Sequence, residues 1–153
     1  MTVDAFFSKL NPLVRALLRS PLHGLASRGL LLLTVTGRRT GRRYSIPVGY
    51  QRDGERLNLM VSEAPSKQWW RNYHEPRPVE LLLRGRARRG TARVVAPSSP
   101  DFREISSRTL RRLPQMGRVF GIDYDRAAGL RDDQVDELGR RIAIVQVTLD
   151  PEG

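Results

Sequence analysis

The chain has 153 residues, no cysteine and a formal charge of +11, from 27 Lys plus Arg against 16 Asp plus Glu. That length fits one domain with a sizeable core, and the missing thiols exclude disulfides, a thiolate metal site and a cysteine nucleophile. Residues 1–100 hold 18 basic and 6 acidic side chains while residues 101–153 hold 9 and 10, which invites an anion: nucleic acid, an acidic membrane or a polyanionic small molecule.

Residues 4–19 carry Phe6, Phe7, Leu10, Leu13, Val14, Leu17 and Leu18 at helical spacing, with Lys9, Arg15 and Arg19 off that stripe. Asn11 before Pro12 suits a cap and a first helical turn. The stretch reads as a helix packed on the protein or as an interfacial helix on a membrane surface. Its sparsely basic polar face favours packing. Residues 1–27 are therefore taken as an N-terminal helical segment, and 28–151 as the ligand-binding domain. The apolar run at 30–33 is too short to span a bilayer and no secretory signal pattern is evident. A cytoplasmic location is expected, with peripheral contact at the inner membrane face as the variant reading.

Leu30–Thr36 and residues 44–52 read as strands around a polar corner, 37–43, where Gly37 and Gly41 tolerate positive φ. Arg38, Arg39, Arg42 and Arg43 crowd that corner. It is either an anion clamp or a solvated turn. Asp53 followed by Gly54 signals a hairpin into a third strand, 56–62. A loop, 63–66, leads to a short helix, 67–74. A fourth strand, 79–84, turns at Gly85 into a fifth, 86–96. Ser99 and Pro100 start a helix through Phe102, Ile105, Thr109 and Leu110. Residues 115–130 look irregular, Asp132 is placed as the cap of another helix, and 141–149 form the last strand. Six short strands joined mostly by tight turns predict a closed or nearly closed antiparallel β-barrel, mainly β with peripheral helices. Neither GxGxxG nor GxxxxGK[ST] occurs, so no Rossmann site or P-loop is indicated. His23 and His74 lack HxxxH or HExxH spacing, and no metal site is expected.

Three elements could share one pocket: the arginine corner, the end of the third strand from Met60 to Ser66, and the helix from Lys67. Backbone N–H groups and Ser62 could donate to an anion. A helix N-terminus beside Lys67 would attract one. Trp69, Trp70 and Tyr73 offer aromatic faces and Asn72 a paired donor and acceptor. These aromatics read as a stacking platform or as a core plug. Arg71 could simply pair with Glu75. No nucleophile–base pair is visible, so reactive chemistry would belong to a cofactor.

The string LLLLTVTGRRTGRRYSIPVGYQRDGERLNLMVS, then SKQWWRN and VELLLRGRARRGTARVV, resembles the deazaflavin-dependent nitroreductase and quinone reductase family of actinobacteria. The resemblance covers residues 28–97. It implies a split β-barrel related to flavin-binding proteins, and binding of the deazaflavin coenzyme F-420 with its phosphate and polyglutamate tail. It puts the phosphate and tail on Arg38, Arg39 and Thr40, with Arg43 alongside. The ring falls against Tyr44, Ser45, Ile46, Pro47, Val48 and Gly49. The facing wall is Met60, Val61, Ser62 and Glu63, with Lys67, Gln68, Trp69, Trp70, Arg71 and Asn72 on the short helix. Family members commonly carry a basic residue where Tyr44 stands here. The implied reaction is hydride transfer to a quinone, nitroaromatic or activated alkene, a small-molecule electron acceptor, with Tyr124 or Ser62 as donor to it. Other occupants of the same fold are FMN or haem, and a basic barrel could also grip single-stranded nucleic acid.

Overall fold

The computed structural model describes residues 29–37 and 39–152. The expected helix at 4–19, the segment 1–27, His23 and Arg38 lie outside the described residues.

Six strands close into an antiparallel barrel in the order β1-β2-β3-β6-β5-β4. They are β1 (Leu30–Thr36), β2 (Arg43–Asp53), β3 (Arg56–Val61), β4 (Arg77–Leu83), β5 (Arg86–Val94) and β6 (Ala143–Leu149). Two 3-10 turns, η1 (Ala64–Ser66) and η2 (Trp69–Tyr73), cross between β3 and β4. Helices α1 (Pro100–Arg112), α2 (Met116–Phe120) and α3 (Asp132–Arg141) lie between β5 and β6. The mainly β, barrel-forming prediction is therefore what the chain does.

Alternation decides what faces inward. Leu31, Leu33 and Val35 of β1 meet Val48 and Tyr50 of β2, Leu57, Leu59 and Val61 of β3, and Val145 and Val147 of β6 in one lumen cluster. Burying each such side chain stabilises the fold by about 1.5–3 kcal/mol. Ile144 points outward into a second cluster, with Phe102, Ile105 and Leu110 of α1, Phe120 of α2 and Leu138 of α3. Both faces of β6 are thus buried. Its outward Gln146 donates to Asn58 Oδ1 at 3.0 Å and accepts from Arg93 at 2.9 Å, which ties β3, β6 and β5 beneath the helices.

Hairpin chemistry follows the residues. Gly54 takes φ 62 between β2 and β3, and Arg84 and Gly85 take φ 50 and 78 between β4 and β5, the paired positive values of a type I′ turn. Ser99 caps α1 by accepting from the Phe102 N–H at 3.4 Å, with Pro100 in the first turn.

Some expectations change. The stretch 115–130 is not all irregular: α2 forms there and ends on Gly121 at φ 80. The N-cap of α3 is Arg131, not Asp132. Asp132 and Asp133 sit in the first turn, where the helix dipole favours them, and Gln134 Oε1 accepts from the Arg131 N–H at 3.1 Å. The short helix expected over 67–74 is only the five residues of η2, and β3 ends at Val61 rather than at Ser62.

Candidate functional site

The corner between β1 and β2 is a closed backbone knot. The Gly37 N–H donates to Arg42 O at 2.8 Å, and the Gly41 N–H donates to Gly37 O at 3.0 Å. Gly41 takes φ 68, and Thr40 Oγ1 accepts from the Arg42 N–H at 3.2 Å. Arg39, Thr40 and Arg42 are left exposed on the outside of the knot. Neither arginine has an ion-pair partner among the described residues. Arg43 differs: it pairs with Glu80 of β4.

Register opens the barrel beside this corner. β2 pairs with β3 only at Tyr50↔Leu59, Gln51↔Asn58, Arg52↔Leu57 and Asp53↔Arg56. Before Tyr50, β2 pairs with β1 alone. After Leu59, β3 pairs with β6 alone, through Met60↔Ile144 and Val61↔Ala143. The two strands part, and alternate backbone N–H and C=O groups of each point into the gap. Pro47, which has no N–H to give, sits on the parted half of β2, as a proline in a sheet should. Tyr44, Ser45, Ile46, Pro47, Val48 and Gly49 form one lip. Met60, Val61, Ser62 and Glu63 form the other.

η1 and η2 follow directly from the second lip and brace each other. Ala64 O accepts from the Lys67 N–H at 3.0 Å and from the Trp70 indole at 2.9 Å. Asn72 Nδ2 donates to Trp69 O at 2.8 Å. Trp69, Trp70 and Ile46 are half-buried against the lumen cluster, and Trp69 meets Tyr73 edge-on at 6.4 Å. Arg71 does not reach Glu75. It lies over Trp70 at 5.3 Å and donates to Pro65 O at 3.4 Å. The Ser66 and Lys67 N–H groups are spent within the turns, on Glu63 O and Ala64 O. η2 is also too short to act as an anion-binding helix terminus, which removes that part of the expectation for Lys67. Lys67 is half-buried and Gln68 exposed.

Not every expected residue faces the gap. Met60 and Tyr124 both pack on the helical cluster, and Tyr124 Cβ lies 3.0 Å from where a Cβ on Gly117 would stand. Ser62 is half-buried at the end of β3. Ser45 turns outward, its Oγ 3.0 Å from Thr34 Oγ1.

A second opening lies on the other side of the same hairpin. β1 and β4 pair only at Leu32↔Leu82, Leu33↔Leu81 and Thr34↔Glu80. Where they part, a cleft of about 690 Å³ is lined by Thr34, Thr36, Arg43, Asn72, Tyr73, Arg77, Pro78, Val79, Glu80, Arg89, Gly90 and Asp150. Most of these were invisible in the sequence, because they come together only through the β1–β4 register. Arg43, Asn72 and Tyr73 were already candidates from the sequence, and the polar pair Thr34 and Thr36 in an otherwise apolar strand is a further local signal. Burial raises the Tyr44 phenol above its ordinary pKa. Burial, reinforced by the neighbouring Tyr44, pushes Tyr73 up to about 12 against the opposing pull of Arg77, so Tyr73 is a proton-bearing donor at neutral pH. Among the described residues no cluster of His, Cys, Asp or Glu could hold a metal, and no helix is long and apolar enough to cross a membrane.

The sequence model of the F420H(2)-dependent quinone reductases matches residues 19–116. No curated protein matches the chain. Among solved structures, an F420-H2 dependent reductase (FDR-A) superposes with TM-score 0.54 at 15% identity, over 78% of this chain and 94% of that one. A structure described as a domain-swapped dimer gives 0.53 at 14% identity, over 78% and 80%. The protein Atu2129 of Agrobacterium tumefaciens, of unknown function, gives 0.50 at 10% identity, over 88% and 57%. At such identities these three likenesses speak for the fold alone.

Proposed function

Because the chain belongs to the F420H(2)-dependent quinone reductase family, we propose that it binds coenzyme F-420 in the gap between β2 and β3 and reduces a quinone or a similarly electron-poor acceptor there. The observation that carries this reading is the parting of β2 from β3 beside a corner whose Arg39 and Arg42 have no ion-pair partner among the described residues. The residues present fit such a group. Exposed guanidinium groups take phosphate and carboxylate oxygens in a planar fork. The parted strand edges offer backbone donors and acceptors to a heterocycle. Ile46 and Trp69 give that heterocycle an apolar border.

The bound deazaflavin supplies the hydride. The chain's own part is placement: Arg39, Thr40 and Arg42 hold the charged tail outside the barrel, and the lip from Tyr44 to Gly49 fixes the ring's depth. The braced η1–η2 segment keeps the opposite wall from closing. Holding donor and acceptor at near-attack distance is a large share of what such a protein can contribute. Ser62, just past the end of β3, is the hydroxyl assigned in this reading to donate to the acceptor. Tyr124 packs on the helical cluster, as Met60 of that lip does.

The test is a fluorescence titration with F-420 and, separately, FMN. F-420 is expected to bind more tightly. Arg39→Ala is expected to weaken it by about tenfold or more, since a charge-assisted hydrogen bond is worth about 1.5–3 kcal/mol, without moving the unfolding midpoint. Equal affinity for FMN, or an indifferent Arg39→Ala, defeats the proposal.

A further inference from the structure

None of the residues that the reading above sets against the coenzyme's tail or ring lines the cleft between β1 and β4, yet its wall gathers two polar groups without a partner among the described residues. Tyr73 is only 3% exposed, and its hydroxyl makes no hydrogen bond to another described residue. Arg77, the first residue of β4, forms no ion pair with a described residue. Across the cleft, Glu80 is shared between Arg43 and Arg89, the latter at 4.0 Å. Three guanidinium groups thus face two carboxylates, Glu80 and Asp150. The volume, about 690 Å³, suits a small ligand.

We infer that this cleft is a second ligand site, taking a small oxyanion of the carboxylate or phosphate class. Arg77 takes the anion and the Tyr73 hydroxyl donates to it. Glu80 stands where a second oxyanion arm would lie and competes for Arg43 and Arg89.

Calorimetric titration at low salt, without any cofactor, tests this independently of the deazaflavin reading. The probes are malate, succinate and inorganic phosphate. Malate and succinate are expected to bind with similar affinity, each through a carboxylate held by Arg77 and Tyr73. A preference for phosphate over malate would instead assign the site to the phosphate branch of the same chemistry. Arg77→Ala should weaken the bound anion by about tenfold or more. Glu80→Gln should tighten it several-fold, a gain that a misfolded variant could not give. Arg56→Ala removes the same charge at the turn between β2 and β3, outside the lining of the cleft, and should change affinity by less than about twofold. The inference is overturned if none of the three anions binds at about 10 mM. It is overturned equally if Arg56→Ala costs as much as Arg77→Ala, or if Glu80→Gln tightens nothing.

Discussion

One hairpin makes two openings of opposite character. On the β3 side, the parted edge of β2 is bordered by Ile46, Trp69 and Trp70, half-buried on the lumen cluster. On the β4 side, the same hairpin presents Thr34, Thr36 and Arg43 to Glu80, Arg77 and Arg89. The first is an apolar slot with free backbone edges, and the second is an ionic cleft. The difference comes from the two-residue period of a strand, which sends neighbouring side chains to opposite faces. It teaches that the arginine richness of this chain is not one diffuse field. Arg39, Arg42 and Arg77 are unpaired with described residues around the two openings. Arg88 of β5, by contrast, has a side chain only 10% exposed and is satisfied by Glu55 and Glu152.

The contrast breaks most completely if the shared frame fails. Gly90 lines the ionic cleft, and a Cβ there would stand 2.5 Å from Thr148 O and 2.9 Å from Val147 Cγ1. Neither the backbone nor the packed core can give that much. Gly90→Ala is therefore expected to lower stability by about 3 kcal/mol, read as a fall in denaturant midpoint, with both proposed ligands bound more weakly. An unchanged midpoint would mean that β5 and β6 are less tightly apposed than they look.

The contrast sharpens at Tyr73, which borders both regions through Trp69 and the cleft. Its folded pKa of about 12 lies above the unfolded value of about 10. A raised folded pKa means that the folded state holds the proton more tightly. Stability is then fully present below pH 10 and is lost as pH climbs through 12. The loss attributable to Tyr73 is about 2–3 kcal/mol, and Tyr73→Phe should flatten that part of the alkaline unfolding curve. An identical slope in the variant would show the phenol to be solvated rather than buried. The smallest effect belongs to the outward face alone. Thr34→Val deletes the hydroxyl pair with Ser45, worth about 1 kcal/mol and a shift of about 3 °C in thermal midpoint.

Much of the frame could be read from local rules. Leu30–Thr36 begins and ends where the apolar run does, Asp53 and Gly54 made the hairpin they advertise, and Ser99 with Pro100 opened α1. Membership of the family and the barrel both followed from the strings around the arginine corner. What escaped was long-range or energetically close. α2 is a single turn-rich segment held by Phe120 in the helical cluster, not by its own propensity. Arg131 became the cap of α3 because Gln134 reached back to its N–H. The ionic cleft joins residues 34, 77, 80 and 89, and only strand register brings them together.

That register carries a consequence for anyone who alters the corner at 37–42. Inserting or deleting a single residue there slides β2 by one step against β1 and turns each of its side chains over. Tyr44 and Ile46 would move to the face now held by Arg43 and Ser45, and a guanidinium would be driven into the oily interior. Length changes in this loop should therefore be tolerated in twos and rejected in ones, a parity rule that a small indel library could expose directly.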